Sequence, residues 1–153
     1  MNTLREWKKV YEADLESLIY ELKEFLTVPA AVILSGEVGV GKTTFIKAFI
    51  NQVETHAKTF SPTYSVVNEV GHSVHADFYR LNSEEEVLHL ELPMYLEEAE
   101  YFFIEWGKEY IKQLYREVPE DFSFYELLFE TNPIGDQSTV PSRNIRLIRL
   151  PQK

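Results

Sequence analysis

Eight residues constrain this chain more than any others: Gly36-Glu37-Val38-Gly39-Val40-Gly41-Lys42-Thr43, which fit G-x-x-x-x-G-K-T at every fixed position. The flanks give the pattern its weight. Before it, Ala30-Ala31-Val32-Ile33-Leu34 is an apolar run too short for a helix and without a polar alternate face, as expected of a buried parallel strand. After it, Ile46, Phe49, Ile50 and Val53 recur at helical spacing from Thr43 to Val53. Strand, glycine loop and helix thus follow in the order that curls backbone amides and a helix N-terminus around a polyphosphate. Glycines 36, 39 and 41 would let the backbone wrap, Lys42 would reach the β and γ phosphates, and the Thr43 hydroxyl would ligate magnesium. Thr44 closes the candidate nucleotide-binding stretch as a helix-surface or packing residue.

Length and composition agree with one domain over residues 1–153: 44% of residues are hydrophobic and 26% charged, enough for a real core and too apolar for a disordered tail. The absence of cysteine excludes a disulfide scaffold, a thiolate zinc site and a cysteine nucleophile. The first residues lack the apolar stretch of a signal peptide, and no run approaches a spanning helix, so the expected location is cytoplasmic with no membrane partner. The net charge is −10, and residues 82–130 carry 14 of the 25 acidic side chains against 3 of the 15 basic ones. Such a field repels nucleic acid, so any RNA is expected to be held mainly by a partner protein. Arg143, Arg146, Arg149 and Lys153 form either a small basic patch or ordinary solvated surface.

The remaining elements complete an α/β reading: a central, mostly parallel sheet flanked by helices, with an antiparallel hairpin or edge portion, as in the P-loop NTPase fold. Trp7–Tyr11 reads as a short strand, and Asp14 as the N-cap of a helix with Leu15, Leu18, Ile19, Leu22, Phe25 and Leu26 on one face. Residues 64–70 and 73–79 read as strands joined through Gly71-His72, and Tyr101–Glu105 as a buried strand. Ser83 is placed as the cap of a helix over Glu84–Leu90, with a further helical piece over Pro93–Glu100 and another from Lys108 to Arg116. Phe122–Glu130 and Arg143–Leu150 are the last strands.

A P-loop enzyme needs a carboxylate near its metal. Glu105 would emerge at the C-terminal edge of its strand, where open parallel sheets bind ligands, and Asp77 lies on the polar face of the strand containing His75. Either suits magnesium or the attacking water; Asp77 is assigned to the metal and Glu105 to the water. Ser61-Pro62-Thr63 is read either as a switch-like loop sensing the γ phosphate or as a simple loop cap. Three further candidates are His75 as a hydrogen-bonding residue, Arg80 as a phosphate contact or surface ion pair, and Trp106 as a base-stacking or packing residue. No N-K-x-D element follows the loop, which leaves ATP rather than GTP as the expected nucleotide.

These residues together resemble the TsaE family of small bacterial P-loop ATPases. The likeness rests on Leu34 to Phe45, on Ser61-Pro62-Thr63-Tyr64 with Val67-Asn68-Glu69, on His75-Ala76-Asp77-Phe78-Tyr79-Arg80-Leu81, and on Ile104-Glu105-Trp106. The resemblance implies a magnesium-dependent ATPase, slow by itself, that supports N6-threonylcarbamoyladenosine (t6A) formation on tRNA with TsaD- and TsaB-like partners. It implies magnesium binding by Thr43, functional acids at Asp77 and Glu105, and a switch-like loop at 61–63. This chain departs from the family at Val40, commonly alanine, and at Gly107, commonly proline; Glu91–Glu100 also lacks the family's usual glycine. Two other classes fit a P-loop: a small-molecule kinase and a nucleotide-dependent protein-binding module. The kinase reading calls for an arginine-rich lid, whereas residues 82–130 offer Lys108, Lys112 and Arg116 as their cations.

Overall fold

Among the described residues, seven strands build one sheet around the apolar run that precedes the glycine loop. In chain order the elements are β1 (Asn2–Val10), α1 (Leu15–Phe25), β2 (Ala30–Ser35), α2 (Lys42–Val53), β3 (Val67–Val70), β4 (Ser73–Asp77), α3 (Glu84–His89), α4 (Leu92–Leu96), β5 (Tyr101–Glu105), α5 (Ile111–Glu117), β6 (Ser123–Thr131) and β7 (Arg143–Arg149). This computed structural model describes residues 2–37, 41–54, 66–133 and 140–152, so Val38, Gly39, Val40, Ser61, Pro62 and Thr63 lie outside the described residues.

The sheet order is β1-β7-β6-β2-β5-β4-β3. Strands β6, β2, β5 and β4 are parallel neighbours, while β3/β4, β6/β7 and β1/β7 are antiparallel. The parallel centre and antiparallel margins expected from sequence are both present. Strand β2 sits at the middle because it has no face to spare for water. Ala30, Val32 and Leu34 enter one core with α1 and α2, and Ala31 and Ile33 enter the other. Strand β5 does the same, with Tyr101 and Phe103 on the first side and Phe102 and Ile104 on the second. Phe49 anchors α2 to the sheet, its ring centroid 4.8 Å from those of both Tyr101 and Phe103. Burial of each such side chain contributes about 1.5–3 kcal/mol, so the helix that begins at Lys42 is firmly seated. The central parallel strands therefore deliver their C-terminal ends, Ser35, Asp77 and Glu105, to one edge.

Four local expectations change in the structure. Strand β1 starts at Asn2 rather than Trp7, and its register against β7 shifts between Thr3 and Arg5 and again between Trp7 and Val10. Such bulges interrupt the alternation by which a strand is recognised in sequence. Asp14 holds the N-cap position of α1, as expected, but its side chain makes no capping bond there: it ends a 3-10 turn, and its carboxylate accepts the Tyr11 amide at 2.9 Å, closing the turn upstream. Ser83 precedes α3 in extended conformation but makes no side-chain capping bond. The helix expected over Pro93–Glu100 is the five-residue α4, with proline in its first turn, where a missing N–H costs nothing.

Gly107 follows β5 and is buried. A methyl group there would fall 2.5 Å from Ile104 Cγ2 and 3.3 Å from Leu114 Cδ1, both in the second core. Gly107→Ala is therefore expected to destabilise the fold by about 1–3 kcal/mol, the usual cost of overpacking, measured as a lower urea midpoint.

Candidate functional site

The ends of β4 and β5 and the start of one helix meet at a cavity of about 400 Å³. The helix start is α2. Its N-cap is Gly41, at φ +97°, a left-handed conformation that suits glycine and that a side chain would strain. Among the described residues no side chain caps this helix, and no acidic residue lies in its first turn. The amides and positive end of a 12-residue helix are thus left for an anion from outside. Gly36, at φ +141°, turns the chain away from β2, and Glu37 is exposed beside it.

Lys42 does not extend into the open site. Its Nζ donates to the Gly36 carbonyl at 2.6 Å and lies 3.8 Å from the centroid of the Trp106 ring, and the residue is 5% exposed. Burial lowers the pKa of this amine, opposed by the nearby charges of Glu105 and Asp77. Trp106 reaches the lysine because its backbone occupies the left-handed region, at φ +60°. For a bulky residue such a conformation costs about 1–3 kcal/mol and is sustained where surrounding structure requires it. Tyr79 packs its ring 5.2 Å from that of Trp106, so the indole is half-buried packing on one side and a platform for the lysine on the other.

The two candidate acids occupy paired positions, Asp77 opposite Glu105, on neighbouring parallel strands. Their surroundings differ. Asp77 is exposed, and its Oδ1 accepts the Tyr79 amide at 3.0 Å. Glu105 is 4% exposed; its Oε1 accepts the Thr43 hydroxyl at 2.8 Å and its Oε2 accepts His75 Nε2–H at 2.7 Å. Burial opposes ionisation of Glu105, but the His75 and Thr43 hydrogen bonds and the attraction of His75 and Lys42 outweigh it, holding the carboxyl below its ordinary value. A depressed folded pKa adds stability above the unfolded value of about 4.3, and that stability is lost as pH falls through the folded value. Glu105→Gln is accordingly expected to flatten the acid limb of the unfolding profile between about pH 5 and 3, read from denaturant midpoints across that range.

Thr43, Asp77 and Glu105 supply one hydroxyl and two carboxylates, an oxygen-only donor set suited to a hard cation. Among the described residues no cluster of three or more histidine, cysteine or acidic side chains could hold a metal alone. Magnesium commonly keeps waters and takes phosphate oxygens alongside one or two carboxylates, so the small donor set fits an ion that arrives with a nucleotide.

The structure thus gathers Gly36, Gly41, Lys42, Thr43, Thr44, His75, Asp77, Glu105 and Trp106 at one edge, with Thr44 exposed on the cavity wall. Arg80 is exposed and is not among the residues lining the cavity. Two residues of this edge are not singled out by sequence. Glu126 on β6 is 3% exposed and accepts Ser35 Oγ–H at 2.7 Å and Lys108 Nζ–H at 2.9 Å, bracing the end of β2. A lone acid within Phe124-Tyr125-Glu126-Leu127 is its one signal. Arg143 stands in the sequence only as part of a basic patch, yet its guanidinium lies against Gly41.

Sheet order, glycine turn and helix start define a protein of the P-loop NTPase-like fold. YdiB of Bacillus subtilis, a solved structure, shares that fold with a TM-score of 0.60 over 96% of this chain and 86% of its own, at 20% identity. The chain belongs to the TsaE family: the model described as threonylcarbamoyl adenosine biosynthesis protein TsaE matches residues 10–132. A tRNA threonylcarbamoyladenosine biosynthesis protein TsaE from Nostoc is 32% identical over 117 residues, covering 69% of this chain and 72% of that protein. Proteins of the same description from Aquifex aeolicus and Bacillus subtilis are 34% and 28% identical over 87 and 122 residues. The alignments cover 53% and 73% of this chain, and 65% and 72% of those proteins. Among the described residues no helix is long and apolar enough to cross a membrane.

Proposed function

We propose that this protein is a magnesium-dependent ATPase, acting as a single cytoplasmic domain, that supports t6A modification of tRNA together with TsaD- and TsaB-like partners. The observation that carries the reading is the line from the uncapped start of α2 through Thr43 to Glu105 and His75. Family membership supplies the biological setting, and the acidic surface supports tRNA contact mainly through the partners.

The residues divide the work as follows. The amides at the start of α2 bind the phosphates, and Lys42 leaves the Gly36 carbonyl to pair with them. Thr43 gives its proton to Glu105 in a hydrogen bond, which leaves the hydroxyl lone pairs available to magnesium. Asp77, exposed on the cavity wall, would join Thr43 in holding the ion, which would neutralise charge developing on the phosphate oxygens. Glu105 orients the attacking water: its ionised carboxylate has spare lone pairs, and His75 fixes its plane. The water oxygen bonds to the γ phosphorus as the bond to the β–γ bridging oxygen breaks, and the water proton leaves toward solvent or the carboxylate.

The test is phosphate release from Mg-ATP by the protein alone and with purified TsaD- and TsaB-like partners and tRNA. Slow turnover alone and marked stimulation by the full mixture are expected. Transfer of the phosphoryl group to a small molecule would instead establish the kinase reading, and nucleotide-dependent partner binding without turnover the binding-module reading.

A further inference from the structure

Resting on the nucleotide-site reading, we infer that Arg143 is a second polyphosphate-binding cation, reaching the nucleotide from the flank opposite the two acids. The argument begins with strand order. Asp77 and Glu105 stand on β4 and β5, to one side of β2, whereas Arg143 opens β7, two strands away on the other. Because β7 runs antiparallel to β6, its first residue pairs with Thr131, the last of β6, and so lies at the edge where the parallel strands end.

From there the side chain folds back onto the start of α2. A methyl group on Gly41 would fall 1.9 Å from Arg143 Nη1 and 2.9 Å from its Cζ, so the guanidinium is packed directly on the N-cap glycine. The electrostatics of that position are unfavourable in the free protein. A helix N-terminus is positive, Lys42 adds a further cation, and the first turn carries no acid. Among the described residues no carboxylate forms an ion pair with Arg143; the ion pairs of Arg5 and Arg146, by contrast, engage Glu21 and Glu6. In a chain with ten more acids than bases, an arginine with no acidic partner among the described residues, set against a positive helix end, calls for an anion of its own. A polyphosphate on the loop supplies it, and the planar guanidinium can give two parallel hydrogen bonds to phosphate oxygens.

The experiment is calorimetric titration of Mg-ATP and Mg-ADP into wild type, Arg143→Ala and Arg143→Lys, with thermal melting of each free protein. Expected are a loss of about tenfold or more in affinity for both nucleotides in Arg143→Ala, a smaller loss in Arg143→Lys, and a melting temperature of the free protein that does not fall. Wild-type affinity in Arg143→Ala overturns the inference, as does weaker binding accompanied by a lowered melting temperature, which marks a structural residue. If wild type itself binds no nucleotide, the underlying site reading fails. Binding by wild type with no effect at Arg143 removes this residue alone.

Discussion

Lys42→Ala is expected to lower Mg-ATP affinity by roughly a thousandfold and to abolish turnover. A unit charge about 4 Å from another is worth about 4 kcal/mol at the effective dielectric of a protein surface, and the triphosphate carries several such charges. Lys42→Met keeps most of the side-chain length and removes the charge, so both variants should lose affinity alike if electrostatics dominate. The free protein should be little affected. What Lys42 contributes there is one hydrogen bond to Gly36 and a cation–π contact with Trp106, offset by the cost of burying an ammonium group. Equilibrium titration with a fluorescent ATP analogue, alongside urea unfolding, separates the two effects. Near-wild-type affinity in either variant would remove the lysine from the site.

Glu105→Gln carries the second large effect, of a different kind. The amide can still accept the Thr43 hydroxyl through its oxygen, so magnesium and nucleotide should bind within a few-fold of wild type. It cannot accept a proton, and its nitrogen cannot accept the bond His75 now gives to Oε2. Partner-stimulated turnover should therefore drop by about 10²–10⁴, the usual contribution of a positioned general base. Single-turnover phosphate release at saturating ATP isolates that step from binding. Equal losses in affinity and turnover would instead assign Glu105 to holding the nucleotide and its ion.

The parts legible in sequence are those in which chemistry and periodicity are contiguous. Strand β2, the loop and α2 follow one another without interruption, so pattern and context reinforce each other. Glu105 is visible because it closes a strand of four apolar residues, where burying a carboxylate is costly unless it has a charge or hydrogen-bond partner to serve. His75, read in sequence as a hydrogen-bonding residue, stands 2.7 Å from that same carboxylate. What stays hidden depends on strand order. Arg143 and Gly41 are far apart in the chain, and only the β6/β7 pairing brings the arginine to the loop. Glu126 reads as an oddity within β6 until β2 is placed beside it and Ser35 becomes its donor. The resting place of Lys42 is also beyond reach, since it follows from a left-handed turn at Trp106 that nothing in that residue's type announces. Strand β1 is longer than its alternation suggests because bulges break the pattern, and Asp14 stands at the cap position of α1 while its carboxylate closes the turn before it.

The central claim is that the loop opening α2 holds the phosphate tail of ATP, and calorimetric titration of Mg-ATP into the folded wild-type protein tests it most directly. One molecule of nucleotide should bind per chain, with the heat vanishing in Lys42→Ala. No detectable binding by folded protein, alone or mixed with its TsaD- and TsaB-like partners, would contradict the account.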